Sequence, residues 1–151
     1  MRWPGRYETV SLAPLVILDG AHDGLAALVL CRALLEDRRL SGPLVVVVGC
    51  STGHAPEESL APFRALTHLK VVVTAAQHPR ACGTAIVERA CRDVGLGGVK
   101  VVEGVAEAVV AAIAWARDDR GAVVVTGSLF VVGEARACFE CMPRDPAWPR
   151  Y

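Results

Sequence analysis

The stretch "PLVVVVGC" at residues 43–50 decides the fold. Its five consecutive apolar residues, four of them valine, leave no polar position on either side of an extended chain. A strand with one wet face alternates apolar with polar residues, whereas a strand covered on both faces reads as an unbroken apolar run. Four other stretches have the same form: "PLVILDG" (14–20), "LKVVVTAA" (69–76), "VKVVEG" (99–104) and "GAVVVTGS" (121–128). Each is short, and each ends at Gly, Ala, Thr or Ser or close to one.

Between these runs the spacing turns helical. Segment 23–39 sets Leu25, Leu28, Val29, Leu34 and Leu35 largely along one stripe. Segments 57–67 and 82–94 are amphipathic as well. Segment 104–117, "GVAEAVVAAIAWAR", is built of strong helix formers, with Val105, Val109, Ile113 and Trp115 on its apolar side. Segment 128–138 fits a helix or an edge strand equally well. Strand and helix alternating with short connections give right-handed crossovers. The predicted fold is therefore α/β: a three-layer Rossmann-like domain, with a mostly parallel sheet of about six strands and helices on both faces. The domain body spans 14–142. Residues 1–13 are polar and carry Pro and Gly, as a hinge or linker remnant would, and "PRDPAWPRY" (143–151), with three prolines, reads as a tail.

Composition narrows the function classes. With 151 residues and 53% hydrophobic residues the chain can bury one sizeable core. Lys and Arg together number 16, as do Asp and Glu, so no basic field invites a nucleic acid. The apolar runs are too short to span a bilayer, and the first ten residues hold no signal-peptide core. The reading is cytoplasmic, with the six cysteines reduced. The pair in "CFEC" (138–141) has no second pair at zinc-binding spacing, so a structural metal is not predicted.

In open parallel sheets, ligands sit beyond the carboxyl ends of the strands. There the sequence places Asp19 and His22, then "GCSTGH" (49–54), "HPRA" (78–81), Glu103, and Thr126, Gly127 and Ser128. Asp19 suits a ribose hydroxyl or the outer shell of Mg²⁺, and equally a helix cap. His22 suits an anion near the first turn of a helix, or a structural role. Gly127 and Ser128 open either an anion-accepting nest or a plain strand-to-helix turn. Neither a GxxxxGK[ST] phosphate loop nor a GxGxxG after the first run occurs. The layout suits nucleotides, but no phosphate-cradling motif accompanies it.

The order of four pieces is distinctive: "WPGR" (3–6), "LDGAHD" (18–23), "HPRA" (78–81) and "VVVTGSLFVVGEAR" (123–136). Together they resemble the C-terminal domain of folylpolyglutamate synthase/dihydrofolate synthase, a branch of the Mur ligase superfamily. The resemblance implies an ATP-dependent ligase that joins L-glutamate to a folate or pteroate carboxyl through an acyl phosphate. It implies ATP and Mg²⁺ as cofactors, with Mg²⁺ held mainly by a separate N-terminal ATPase domain that acts in cis or in trans. By the same resemblance Arg6 reaches ATP phosphate and Asp19 orients the nucleotide. His22 lies near the phosphates or the acyl phosphate, and Ser128 near the glutamate or the reacting atoms.

This sequence departs from the family pattern in two places. Asp23 stands where the family usually has Asn, and "STGHAPEE" (51–58) stands where a lysine-containing stretch is common, leaving His54 as the nearest cation. The chain carries no ATPase motif and starts almost at the hinge, so it is expected to be inactive alone. The alternative reading is a stand-alone nucleotide- or partner-binding module without catalysis.

Overall fold

A computed structural model describes residues 4–140. Trp3 of the "WPGR" motif, Cys141 of "CFEC" and the tail assigned to 143–151 lie outside the described residues. The strands are β1 (Glu8–Leu12), β2 (Leu15–Leu18), β3 (Leu44–Val48), β4 (Leu69–Val73), β5 (Val99–Val101) and β6 (Ala122–Thr126). The helices are α1 (Gly24–Glu36), α2 (Pro56–Leu60), α3 (Thr84–Asp93), α4 (Val105–Asp118) and α5 (Leu129–Glu140), and a 3₁₀ turn over Ala61–Ala65 follows α2.

The six strands form one sheet in the order β1-β2-β6-β3-β4-β5. From β2 to β5 all neighbours are parallel, with registers such as Val46 beside both Val124 and Val71. The all-apolar runs are buried along their whole length in β2, β3 and β6. Their side chains alternate between two cores, as strand geometry requires. Ile17, Val46, Val48, Val71 and Val124 face a core with α1, the α2 segment and α3. Val16, Leu18, Val45, Val47, Val72 and Val123 face a second core with α4 and α5. The three-layer architecture predicted from the runs is the architecture found.

Several details differ from the sequence reading. Residues 8–12, included in the polar linker, form β1, which pairs antiparallel with β2 and closes one edge of the sheet. Its first four positions are only half-buried and Leu12 is exposed, and so it lacks the unbroken apolar signature of the central strands. Segment 128–138 is resolved as helix α5, so the sixth strand comes from the beginning of the chain instead.

On α1, Leu34 is buried as read, but Leu25, Leu28, Val29 and Leu35 are exposed, and the core face is Ala27, Leu30, Cys31 and Leu34. This helix carries apolar residues around most of its circumference, so periodicity could not choose its face. On α4, Val105 and Val109 are buried together with Ala108, Ala112 and Ala116, while Ile113 and Trp115 are only half-buried. The alanines let the helix lie close on the sheet and push its larger side chains to the margin.

Candidate functional site at the carboxyl rim

Chain direction opens the site. After β2 the chain turns toward α1 on one face, and after β6 it turns toward α5 on the other. These strands are neighbours, so their diverging exits leave a crevice between them. β3, on the other side of β6, also turns to the α1 face and widens it. Residues 19–24, 49–54 and 127–128 line this rim.

Close backbone approach shapes its floor. Gly127 has φ +104°, and a Cβ there would run into the carbonyl of Gly49. Gly127 N–H donates to Ala21 O at 3.0 Å, and Thr126 Oγ1 donates to the same oxygen at 3.3 Å. The β2 and β6 exits are thereby tied together just below the crevice.

Asp19 lies at the carboxyl end of β2. Its Oδ1 accepts from Ala21 N–H and its Oδ2 from Tyr7 N–H, each at 2.9 Å. Burial pushes the carboxyl up from its ordinary value, while the two N–H donors and the charge of Arg6 act against that rise. Gly20 N–H donates to Gly5 O at 2.7 Å, a second tie to the same segment. The guanidinium of Arg6 is exposed beside this carboxylate and has no hydrogen bond or ion pair among the described residues.

His22 is exposed, and its Nδ1 lies 3.0 Å from Gly20 O. Asp23 caps α1: its Oδ1 accepts from Ala26 N–H at 2.8 Å. Capping thus falls to Asp23, where the sequence reading allowed it for Asp19. Ser128 is buried, and its Oγ accepts from Val131 N–H at 3.1 Å in the first turn of α5. The rim therefore brings Arg6, Asp19 and His22 together, and Ser128 sits beneath it as a helix cap.

Sequence reasoning passed over the connections made by "HPRA" and "GEAR". The ring of His78 stacks on Phe130 with centroids 3.6 Å apart, and its Nδ1 accepts from Arg80 N–H. Glu134 Oε1 accepts from Gln77 N–H at 2.7 Å, so α5 holds the loop after β4. Arg136 pairs with Glu8 on β1, and Glu8 also accepts from Gly5 N–H at 2.9 Å. The ring contact of His22 with His54, centroids 6.1 Å apart, was also not foreseen. Nothing in the linear spacing could join residues 32 positions apart. Among the described residues, no three His, Cys, Asp or Glu side chains group to hold a metal ion.

These features define a class: a three-layer α/β domain that offers an imidazole and a guanidinium from one rim and has no phosphate loop in its sequence. The chain belongs to the Mur ligase, glutamate ligase domain family, whose model matches residues 5–129. It is 34% identical over 137 residues to a probable bifunctional folylpolyglutamate synthase/dihydropteroate synthase of Halobacterium salinarum, covering 89% of this chain and 16% of that protein. Among solved structures, it is similar to the folylpolyglutamate synthase of Mycobacterium tuberculosis complexed with ADP and AMPPCP. The TM-score is 0.82 at 28% identity, over 95% of this chain and 34% of the other.

It is also similar to the bifunctional folylpolyglutamate synthase/dihydrofolate synthase of Yersinia pestis complexed with AMPPNP and Mn. There the TM-score is 0.78 at 25% identity, over 92% of this chain and 32% of the other. The chain thus spans about a third of these solved relatives and a sixth of the curated one. Among the described residues no helix is long and apolar enough to cross a membrane.

Proposed function

We propose that this chain is the nucleotide- and glutamate-facing C-terminal domain of a cytoplasmic ATP-dependent ligase that adds L-glutamate to a folate or pteroate. It works against an ATPase domain supplied in cis or in trans and is inactive without it. The observation that carries this reading is the crevice between the β2 and β6 exits, with Arg6 and His22 exposed on one rim in a chain of this family. The M. tuberculosis relative was solved with ADP and AMPPCP, and a bifunctional folylpolyglutamate synthase/dihydrofolate synthase with Mn, AMPPNP and L-glutamate.

The donors present fit an anionic nucleotide. A free guanidinium pairs readily with phosphate oxygens. Placed over a transferring phosphoryl group, Arg6 would offset the charge that builds on it. Asp19 fixes the segment that carries Arg6, and His22 would lie near the phosphates or the acyl phosphate. Ser128, buried as the cap of α5, supports the glutamate side through the N–H groups of the turn it fixes. The metal chemistry belongs to the ATPase domain, which supplies most of the Mg²⁺ ligands in this proposal.

A chimera tests the reading. Residues 5–140 replace the corresponding domain of the M. tuberculosis enzyme, and ADP release is followed with and without L-glutamate. The proposal predicts glutamate-dependent turnover that falls at least tenfold in Arg6→Ala. A chimera that melts cooperatively yet shows no glutamate-dependent turnover contradicts it.

A further inference from the structure

We propose that a cleft at the amino-terminal edge of the sheet binds a small amphipathic organic anion, one carboxylate or phosphate monoester group carried on an apolar body. The cleft has a volume of about 440 Å³, within the range of small-ligand sites. The turn between β1 and β2, the loop from α1 to β3 and the loop from α4 to β6 border it. Leu12, Pro14, Leu15 and Leu40 give it an apolar wall. The charged side chains that line it are all arginines: Arg39, Arg117 and Arg120.

The three arginines differ in what they already hold. Arg39 is engaged by the fold: Nε and Nη2 donate to the two oxygens of Asp37 at 3.0 and 2.7 Å, and Nη1 donates to Thr9 Oγ1 at 3.1 Å. Neither Arg117 nor Arg120 has a side-chain hydrogen bond or ion pair among the described residues. Of the acids beside them, Asp119 pairs with Lys70, and Asp118 does not line the cleft. Two planar guanidinium groups are thus left for an oxyanion, whose geometry their N–H forks match.

Arg120 is also held in a conformation that residues with a side chain avoid. It has φ +54°, at the position after α4 that usually falls to glycine. Its N–H donates to Arg117 O at 3.3 Å, and Gly121 N–H donates to Ala116 O at 2.7 Å. The neighbouring backbone fixes it there. A Cβ on Gly42 would lie 2.6 Å from Arg120 O, and one on Gly121 would lie 2.3 Å from Pro43 O. Ala122 N–H donates to Pro43 O at 3.0 Å, so the two loops are joined beneath the arginines. The site suits a single oxyanion and not a polyphosphate. Both α1 and α4 end at this edge, and their carbonyl ends oppose accumulated negative charge. A nucleotide would also miss the helix N-terminus that polyphosphates favour.

The cleft lies at the opposite edge from Arg6 and His22, so its ligand is independent of the ligase reading. The 151-residue chain, ¹⁵N-labelled, is titrated separately with benzoate, phenyl phosphate, acetate and inorganic phosphate. Benzoate or phenyl phosphate is expected to shift the amides of Leu12, Ser41, Gly42 and Gly121 and the Nε–H signals of Arg117 and Arg120. It should bind at least fivefold more tightly than acetate or inorganic phosphate. A response to benzoate alone assigns a carboxylate, one to phenyl phosphate alone a phosphate monoester, and one to both the oxyanion they share. Arg120→Gly relieves the left-handed conformation, so it should melt at or above the parent temperature while binding falls at least fivefold. Arg117→Ala should lose binding to a similar degree with its amide spectrum otherwise intact. Absence of shifts at the cleft with millimolar probe, equal affinity for the anions that lack an apolar body, or unchanged binding in both variants overturns the proposal.

Discussion

The carboxylate of Asp19 holds the backbone of Tyr7: Oδ2 accepts the Tyr7 N–H at 2.9 Å while Oδ1 accepts that of Ala21. Tyr7 has a φ of +48°, a left-handed conformation that a residue with a side chain keeps only when its surroundings impose it. Its hydroxyl reaches across to α1, donating to Asp37 Oδ2 at 2.9 Å. Arg6, the residue just before, is thereby set against the rim by a strand-end carboxylate on one side and a tyrosine anchor on the other.

Removing that carboxylate has two consequences. Asp19→Ala leaves the N–H groups of Tyr7 and Ala21 without their acceptor and costs about 2 kcal/mol of stability, measured by urea unfolding. In the chimeric ligase it also lowers turnover at least tenfold, because Arg6 loses its orientation. A variant with unchanged unfolding and unchanged turnover removes Asp19 from both roles.

Acid stability rests on a different carboxylate. Asp37 is drawn down from 3.8 to about 2, first by its hydrogen bonds with Arg39, with the Tyr7 hydroxyl adding to the effect. A carboxyl lowered in the fold contributes stability that is fully present above its unfolded value and is lost as pH falls toward 2. Asp19 is shifted the other way, so its protonated form is the one the fold favours, and it adds nothing to acid sensitivity. Asp37→Asn is therefore less stable than the parent at pH 7, and the difference shrinks steadily as pH falls toward 2. Melting temperatures across that range check this, and a constant offset at all pH values would contradict it.

The buried thiols are predicted to be inert. Burial pushes Cys50 up to about 12 and Cys31 and Cys91 up to about 11, so almost no thiolate is present at neutral pH. Iodoacetamide at pH 8 followed by peptide mass analysis should leave these three unmodified in the native chain and alkylate them in urea. Rapid native alkylation of Cys50 would show that its loop opens.

The two faces of α1 give opposite outcomes. Leu30→Ala or Leu34→Ala removes a buried side chain and costs roughly 2–5 kcal/mol. Leu25→Ser and Val29→Ser alter residues that are 74% and 60% exposed, and stay within about 0.5 kcal/mol of the parent. Equal losses on both faces would mean that α1 packs through the stripe its sequence suggests.

The sheet was legible because β2, β3 and β6 carry their burial in composition: a run such as Leu44–Val48 has no other soluble use than a strand covered twice. β1 was not, since "ETVSL" mixes polar and apolar residues at an edge where one neighbour suffices. The rim was legible through the rule that parallel strands present ligands at their carboxyl ends, and Asp19, His22 and Ser128 all stand there. Their partners were hidden. Tyr7 reaches Asp19 across 12 residues, and His54 reaches His22 only because β3 lies beyond β6, an order that no pattern of apolar residues encodes. Arg136 and Glu134, noticed as parts of a motif, act as ties from α5 to β1 and to the loop after β4.

The most direct test of the account is where a nucleotide meets this chain. An ¹⁵N-labelled sample titrated with AMPPNP and Mg²⁺ should show weak shifts confined to residues 19–24, 51–54 and 127–128, together with Arg6. Shifts centred instead on the opposite edge, where Leu12–Leu15, Arg117, Arg120 and Gly121 line a cleft of about 440 Å³, would contradict it. So would tight binding by the domain alone.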